Sequence, residues 1–209
     1  MIYNYYEVLL TGLFFVILFL LVMVFRWRIA ARSNDPLRVV SVKRMEDILL
    51  PDRMGGEIHL QHILLTAKGL VVVDVKTVSG TVFGGDLLDE WTVIRGLSRS
   101  QRRQSAEPRA GIVGAERFTF PNPQHALNDR VAALKSIVRD IPVKGHVLFL
   151  GDVEFSKDRP TNVILSDELE DLYRKPHITE LGRLMEAFQP HWEKVEEARE
   201  RAPKVVAQF

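Results

Sequence analysis

The sequence predicts a mixed α/β domain behind a single apolar helix. Three observations predict it. An unbroken apolar run covers residues 8–25. Two strand-like runs at 57–65 and 70–76 flank a tight Thr66-Ala67-Lys68-Gly69 turn. Downstream, helical patterns alternate with further short strands, an order that suits a mixed sheet flanked by helices rather than a pure sandwich or bundle.

The apolar run comes first. Val8 to Phe25 contains no charge, and only Thr11 and Gly12 interrupt it weakly. At the helical rise this is roughly 27 Å, close to the hydrocarbon thickness of a bilayer. Tyr3, Tyr5 and Tyr6 precede it and Trp27 follows it, as interfacial anchors do. A cleaved signal peptide is the rival reading, with Ala30-Ala31 as a faint cleavage-like pair, but there is no basic segment ahead of the run. Arg26, Arg28, Arg32 and Arg38 all lie on its C-terminal side. The positive-inside rule then predicts a single-pass membrane protein with its C-terminal domain cytoplasmic. The expected organisation is an anchor at 1–28, a juxtamembrane linker at 29–37, a folded domain at 38–190 and a charged helix or tail at 191–209.

Composition narrows the chemistry. The chain has 209 residues with a net charge of +1, so no global field argues for a polyanion partner. It has no cysteine, which excludes disulfides and thiolate metal sites.

The elements follow in order. Val42, Met45, Ile48 and Leu49 recur at helical spacing and predict an amphipathic helix over 38–50, ended by Pro51 and Gly55-Gly56. The hairpin comes next, with Gly69 placed where a positive φ is wanted. Gly80–Phe83 and Trp91–Ile94 read as two more short strands. Residues 96–119 lack periodicity and read as a long loop. From Arg95 to Arg117 there are six arginines, two glutamates and no lysine. Asn122-Pro123 opens a helix as N-cap and first helical residue, with Leu127, Val131, Leu134 and Val138 along one face. Val147–Leu150 and Val163–Leu165 read as buried strands. Ser166 is expected to cap a helix through Tyr173 and Thr179 one through Phe188. From Trp192 onward the chain reads as helical and highly charged.

Asp74-Val75-Lys76 ends the second hairpin strand and carries the chemistry. An acid and an amine two residues apart on a strand share a face. A buried charge is costly unless it is paired or binds a metal. The two therefore either work together in a site or form a solvated ion pair at the strand's end. A metal-dependent phosphodiesterase needs carboxylates to hold Mg²⁺ and a cation near the phosphate. Asp74 could be a ligand and Lys76 the cation, with Glu46 and Glu57 as the other available acids. Arg99, Arg102 and Arg103 are the candidate phosphate contacts, against the plainer reading of a solvated connection. His62 reads as a packing histidine and Asn122 as a helix cap.

These residues together resemble a known family. From about Arg44 to Leu169 the chain resembles the NERD, or nuclease-related, domain of the PD-(D/E)xK nuclease superfamily. The resemblance rests on His62, the hairpin ending in Asp74-Val75-Lys76, Gly80 with Phe83-Gly84, Trp91, Phe120-Pro121-Asn122-Pro123 and the strand Val147 to Leu150. It implies a restriction-endonuclease-like fold, a Mg²⁺ cofactor and a nucleic-acid partner, DNA ahead of RNA. It also implies a catalytic set of Asp74 and Lys76 with Glu46 or Glu57. The pattern is incomplete. The family's Asp-His pair reads Gln61-His62 here, so the metal set becomes Asp74, Glu57 and the neutral Gln61. The family's polar residue after Asn-Pro is replaced by Ala126. Two functions follow: a membrane-anchored Mg²⁺-dependent nuclease or nucleic-acid-binding protein, or a catalytically degenerate scaffold at the cytoplasmic face of the membrane.

Overall fold

The computed structural model describes residues 13–23, 35–52, 55–96 and 116–201. The chain divides into two compact units, Met1–Pro36 and Leu37–Phe209. In the first, residues 13–23 form a helix, α1, whose apolar side chains from Leu13 to Met23 are all exposed. Among the described residues no helix is long and apolar enough to cross a membrane. The expected span of 8–25 begins and ends outside the described residues, so α1 is only its central portion.

The second unit opens with a short helix, α2 (Pro36–Val40), which buries Leu37 and Val40. Among the described residues nine strands follow: β1 (Lys43–Pro51), β2 (Glu57–Thr66), β3 (Gly69–Thr77), β4 (Gly80–Phe83), β5 (Glu90–Arg95), β6 (Glu116–Pro121), β7 (Val143–Leu150), β8 (Val153–Phe155) and β9 (Val163–Leu165). Helix α3 (Pro123–Ile137) precedes β7, and α4 (Leu169–Leu172) and α5 (Ile178–Arg201) close the unit. The strands form two mixed sheets, in the orders β1-β2-β3-β7-β9 and β6-β5-β4-β8. In the larger sheet β1, β2 and β3 are antiparallel neighbours, while β3, β7 and β9 run parallel. In the smaller one only the β4–β8 pair is parallel. The mixed α/β architecture with flanking helices is thus present.

The central strand β3 is buried on both faces, as parallel strands usually are. Leu70 and Val72 point into the larger core cluster, with Val147, Phe149, Trp91, Leu127 and Trp192. Val71 and Val73 point the other way, against Leu37, Val40, Leu148, Leu169 and Tyr173. Helices α3 and α5 and the smaller sheet therefore supply one layer, and α2 and α4 the other. Trp91 joins the two sheets by stacking on Phe149, with centroids 6.3 Å apart. Gly145 lets α3 lie close to β7, because a Cβ there would come within 2.5 Å of the Val131 side chain.

Several expectations are corrected. The helix over 38–50 is a strand from Lys43, and Glu46 sits on β1 opposite His62. The cause is Asp47, whose φ of +47° bends the strand. Met45, Ile48 and Leu50 are buried as a result, so a strand imitates the three-residue spacing of a helix. The expected loop of 96–119 contains the start of β6 at Glu116, while residues 97–115 lie outside the described residues. The helix expected to stop at Phe188 runs on through Pro190 to Arg201, and Trp192 and Val195 are buried in the core. The 190/191 boundary expected for the charged tail falls inside this helix. Ser166 does not cap α4, which begins after Glu168 with no side-chain cap bond.

Candidate nuclease-like site

Asp74 lies midway along β3 with Val147 as its β7 partner, and Lys76 follows opposite Phe149. Alternation puts both side chains on the face of Leu70 and Val72, the side covered by α3. Asp74 is 2% exposed. The β2–β3 ladder stops at His62↔Val73. One step further, the side chain of Gln61 takes over from the backbone, its Oε1 accepting the Val75 N–H at 2.7 Å. Gln61 thus stands beside Asp74, as the hairpin register requires, and its amide oxygen serves the backbone.

The charge on Asp74 is met from above. Arg130, on α3, donates through Nη1 to Asp74 Oδ2. Its Nε donates to the His59 carbonyl at 2.7 Å, so one guanidinium ties α3 to both β2 and β3. The other carboxylate oxygen, Oδ1, is buried and accepts no hydrogen bond from the described residues. Burial pushes the Asp74 carboxyl above its ordinary range, while Arg130 and then Lys76 pull it down.

The remaining acids stand apart. Glu46 accepts from Arg44 Nε at 2.7 Å and lies 3.9 Å from His62 Nδ1. Asp47 faces His59 Nε2 at 3.4 Å. Glu57 is exposed at the start of β2, opposite Pro51. At the rise of a strand it is about 13 Å along β2 from Gln61. The structure therefore gathers Asp74, Lys76 and Gln61 on neighbouring strands and leaves Glu57 outside. Among the described residues no group of three or more His, Asp or Glu side chains is arranged to hold a metal ion. Mg²⁺ prefers near-octahedral oxygen ligation, and one carboxylate already held by a guanidinium does not fit it. Arg99, Arg102 and Arg103 lie outside the described residues.

Arg130 was missed from sequence, although a signal existed. It falls three residues after Leu127 and four before Leu134, both buried, so it interrupts an otherwise apolar helix stripe. The reach of Asn122 was missed too. Its Oδ1 caps α3 by accepting the Gln124 N–H, and its Nδ2 donates to the Leu88 carbonyl at 2.7 Å, with Gly85 and Asp86 at 3.4 Å. One side chain thereby fixes both the helix start and the β4–β5 loop.

The sequence profile of the nuclease-related domain matches residues 30–150, more than half of the chain. The chain belongs to the nuclease-related domain family. The matched region runs from before α2 to the end of β7, and so contains β2, β3, α3 and every residue around Asp74. No curated protein and no solved structure is similar enough to this nuclease-related chain to count as a match.

Proposed function

We propose that this chain is a membrane-anchored nuclease-related domain that binds nucleic acid and whose hydrolytic centre is weakened. The observation that carries this reading is the state of the Asp74 site. Its one buried acid is neutralised by Arg130, and the neighbouring family acid is an amide engaged with Val75. Such a site lacks the charge to gather a divalent cation, yet it keeps the fold on which nucleic-acid contacts can be built. The anchoring part rests on the apolar run of 8–25 and the arginines behind it. The nucleic-acid part rests on family membership and on the arginine-rich stretch, with DNA ahead of RNA as partner.

A second reading, a Mg²⁺-dependent phosphodiesterase, is favoured by Lys76 on the Asp74 face and by an Asp74 Oδ1 that accepts no hydrogen bond from the described residues. The two separate in one experiment on the full chain in detergent. Binding of labelled DNA and RNA is measured at several salt concentrations, and cleavage of linear and circular DNA is followed with Mg²⁺ or Mn²⁺. We expect binding without divalent metal, weakening with salt as phosphate contacts release counterions. Alanine at Arg99, Arg102 and Arg103 should lower the salt slope by about one unit per lost contact. Cleavage should not exceed that of Lys76→Ala. Metal-dependent cleavage lost in both Asp74→Ala and Lys76→Ala would establish the phosphodiesterase. Neither binding nor cleavage would leave the domain as a scaffold.

A further inference from the structure

Arg130 occupies a position that has consequences of its own. It sits within the buried stripe of α3, between Leu127 and Leu134, with only 21% of its side chain exposed. A guanidinium stays charged at any physiological pH. It is held at two points, by Asp74 Oδ2 and by the His59 carbonyl at 2.7 Å. The second contact fixes the plane of the group, so Arg130 cannot swing aside without giving up a partner on each strand.

We propose that Arg130 is a resident cation: it supplies the positive charge that a divalent metal would bring to Asp74, and the two occupancies exclude each other. The argument is electrostatic and geometric. A carboxylate this buried needs a counter-charge, and Arg130 supplies it from within the chain. A dication bound to Asp74 Oδ1 would lie beside a fixed positive charge, on a carboxylate that is itself only 2% exposed. The neutral Gln61, already accepting from Val75, adds nothing to offset that repulsion. Arg130 therefore acts as a positioning residue, docking α3 on the larger sheet and keeping the site closed to metal. The inference rests on Asp74 being the site's surviving acid, but it does not require that nucleic acid bind.

The test uses the full chain in detergent with Mn²⁺ as probe. Free Mn²⁺ is read by electron paramagnetic resonance, and thermal midpoints are recorded on the same samples. Wild type should neither deplete free Mn²⁺ through Asp74 nor gain stability from it. Arg130→Gln should bind Mn²⁺ and rise in midpoint by roughly 3–6 °C once the metal exceeds its Kd tenfold. Asp74→Asn in that background should abolish both effects. If Arg130→Gln does not fold, Arg130→Met carries the test, because it fills the same place in the α3 stripe without a charge and should admit Mn²⁺ where arginine does not. Wild type binding Mn²⁺ through Asp74 as tightly as Arg130→Gln would overturn the proposal. So would a folded Arg130→Gln, or in its place a folded Arg130→Met, that binds no better than wild type. DNA binding measured alongside speaks only to the nucleic-acid reading, so the two can fail separately.

Discussion

Gln61 sets how much negative charge the space beside Asp74 can hold. Its amide does what the backbone ladder no longer does, taking the Val75 N–H at 2.7 Å. In Gln61→Asp the arm is one methylene shorter and carries a second carboxylate. The Val75 N–H is then left unsatisfied, which costs about 1–3 kcal/mol, and two acids share one guanidinium. We expect Gln61→Asp to unfold at lower urea by that amount at neutral pH. With Arg130→Gln in the same chain, it should bind Mn²⁺ more tightly than Arg130→Gln alone. Unchanged urea stability would show that the Val75 bond contributes nothing. His146 gives a second residue-scale expectation. It shares a 2.6 Å hydrogen bond with the Tyr173 hydroxyl, and burial holds its pKa below the ordinary histidine value, with Lys144 adding to the effect. Burial likewise pushes Tyr173 up to about 12, so the hydroxyl keeps its proton. For His146 the unfolded chain takes up a proton first as pH falls through about 6.5, while the folded chain does so only lower. Stability should fall with acidification across that window and level off below the folded value. Thermal midpoints between about pH 7.5 and 5 should show this slope flattened in His146→Gln. At this scale the sequence was informative where it broke a pattern. Asp74 and Lys76 stood out as charges in an aliphatic strand. Arg130 broke a helical stripe in the same way, but its partner lies 56 positions earlier in the chain, and no local pattern names that partner.

At the scale of elements, Asn122 shows how one side chain joins pieces far apart in sequence. The Asn-Pro signature disclosed the helix start, and α3 does begin at Pro123 with Asn122 as its cap. The donation from Nδ2 to the Leu88 carbonyl and its neighbours was not legible, because it depends on how β4 and β5 return to α3. Asn122→Ala should remove both functions. Loss of a cap costs about 1 kcal/mol, and stranding a buried acceptor about 1–3 more. Asn122→Ser should restore the cap but not the reach to the loop. Urea unfolding should therefore rank the chains as wild type, then Ser, then Ala; a Ser variant equal to wild type would assign no weight to the loop contacts. The hairpin of β2 and β3 was readable because its pattern and turn agree. β1 was not, since Asp47 resets the alternation and leaves the buried residues at a helix-like interval. β6 failed for a different reason: Glu116–Pro121 is almost wholly exposed along an edge, so burial imposes no period on it.

The whole molecule joins a helix with no buried side chain to a domain with a two-sided core. Exposed Leu, Phe, Val and Ile along α1 need cover, since a continuous apolar surface of this kind is costly in water. The apolar run of 8–25 is long enough to find that cover in a bilayer, and its flanks differ sharply in charge. Glu7 is the only charged side chain ahead of it, while Arg26, Arg28, Arg32 and Arg38 follow within a short distance. Arginines near the end of a span weigh on orientation because they resist translocation. The nuclease-related domain should therefore lie on the cytoplasmic side, where nucleic acid is accessible to it. A reporter fused after Phe209 should act as a cytoplasmic fusion, and the full chain should sediment with membranes and be released by detergent but not by salt or carbonate. Activity of a reporter that works only on the far side would reverse the topology. Release by carbonate alone would show that the apolar run does not span, and would separate the anchor from the domain's own chemistry. Moving the charge tests the cause as well as the outcome: replacing Arg26, Arg28 and Arg32 with glutamine while placing three arginines ahead of Val8 should reverse a fraction of the chains, and an unaltered orientation would mean that the folded domain, not the arginines, decides it.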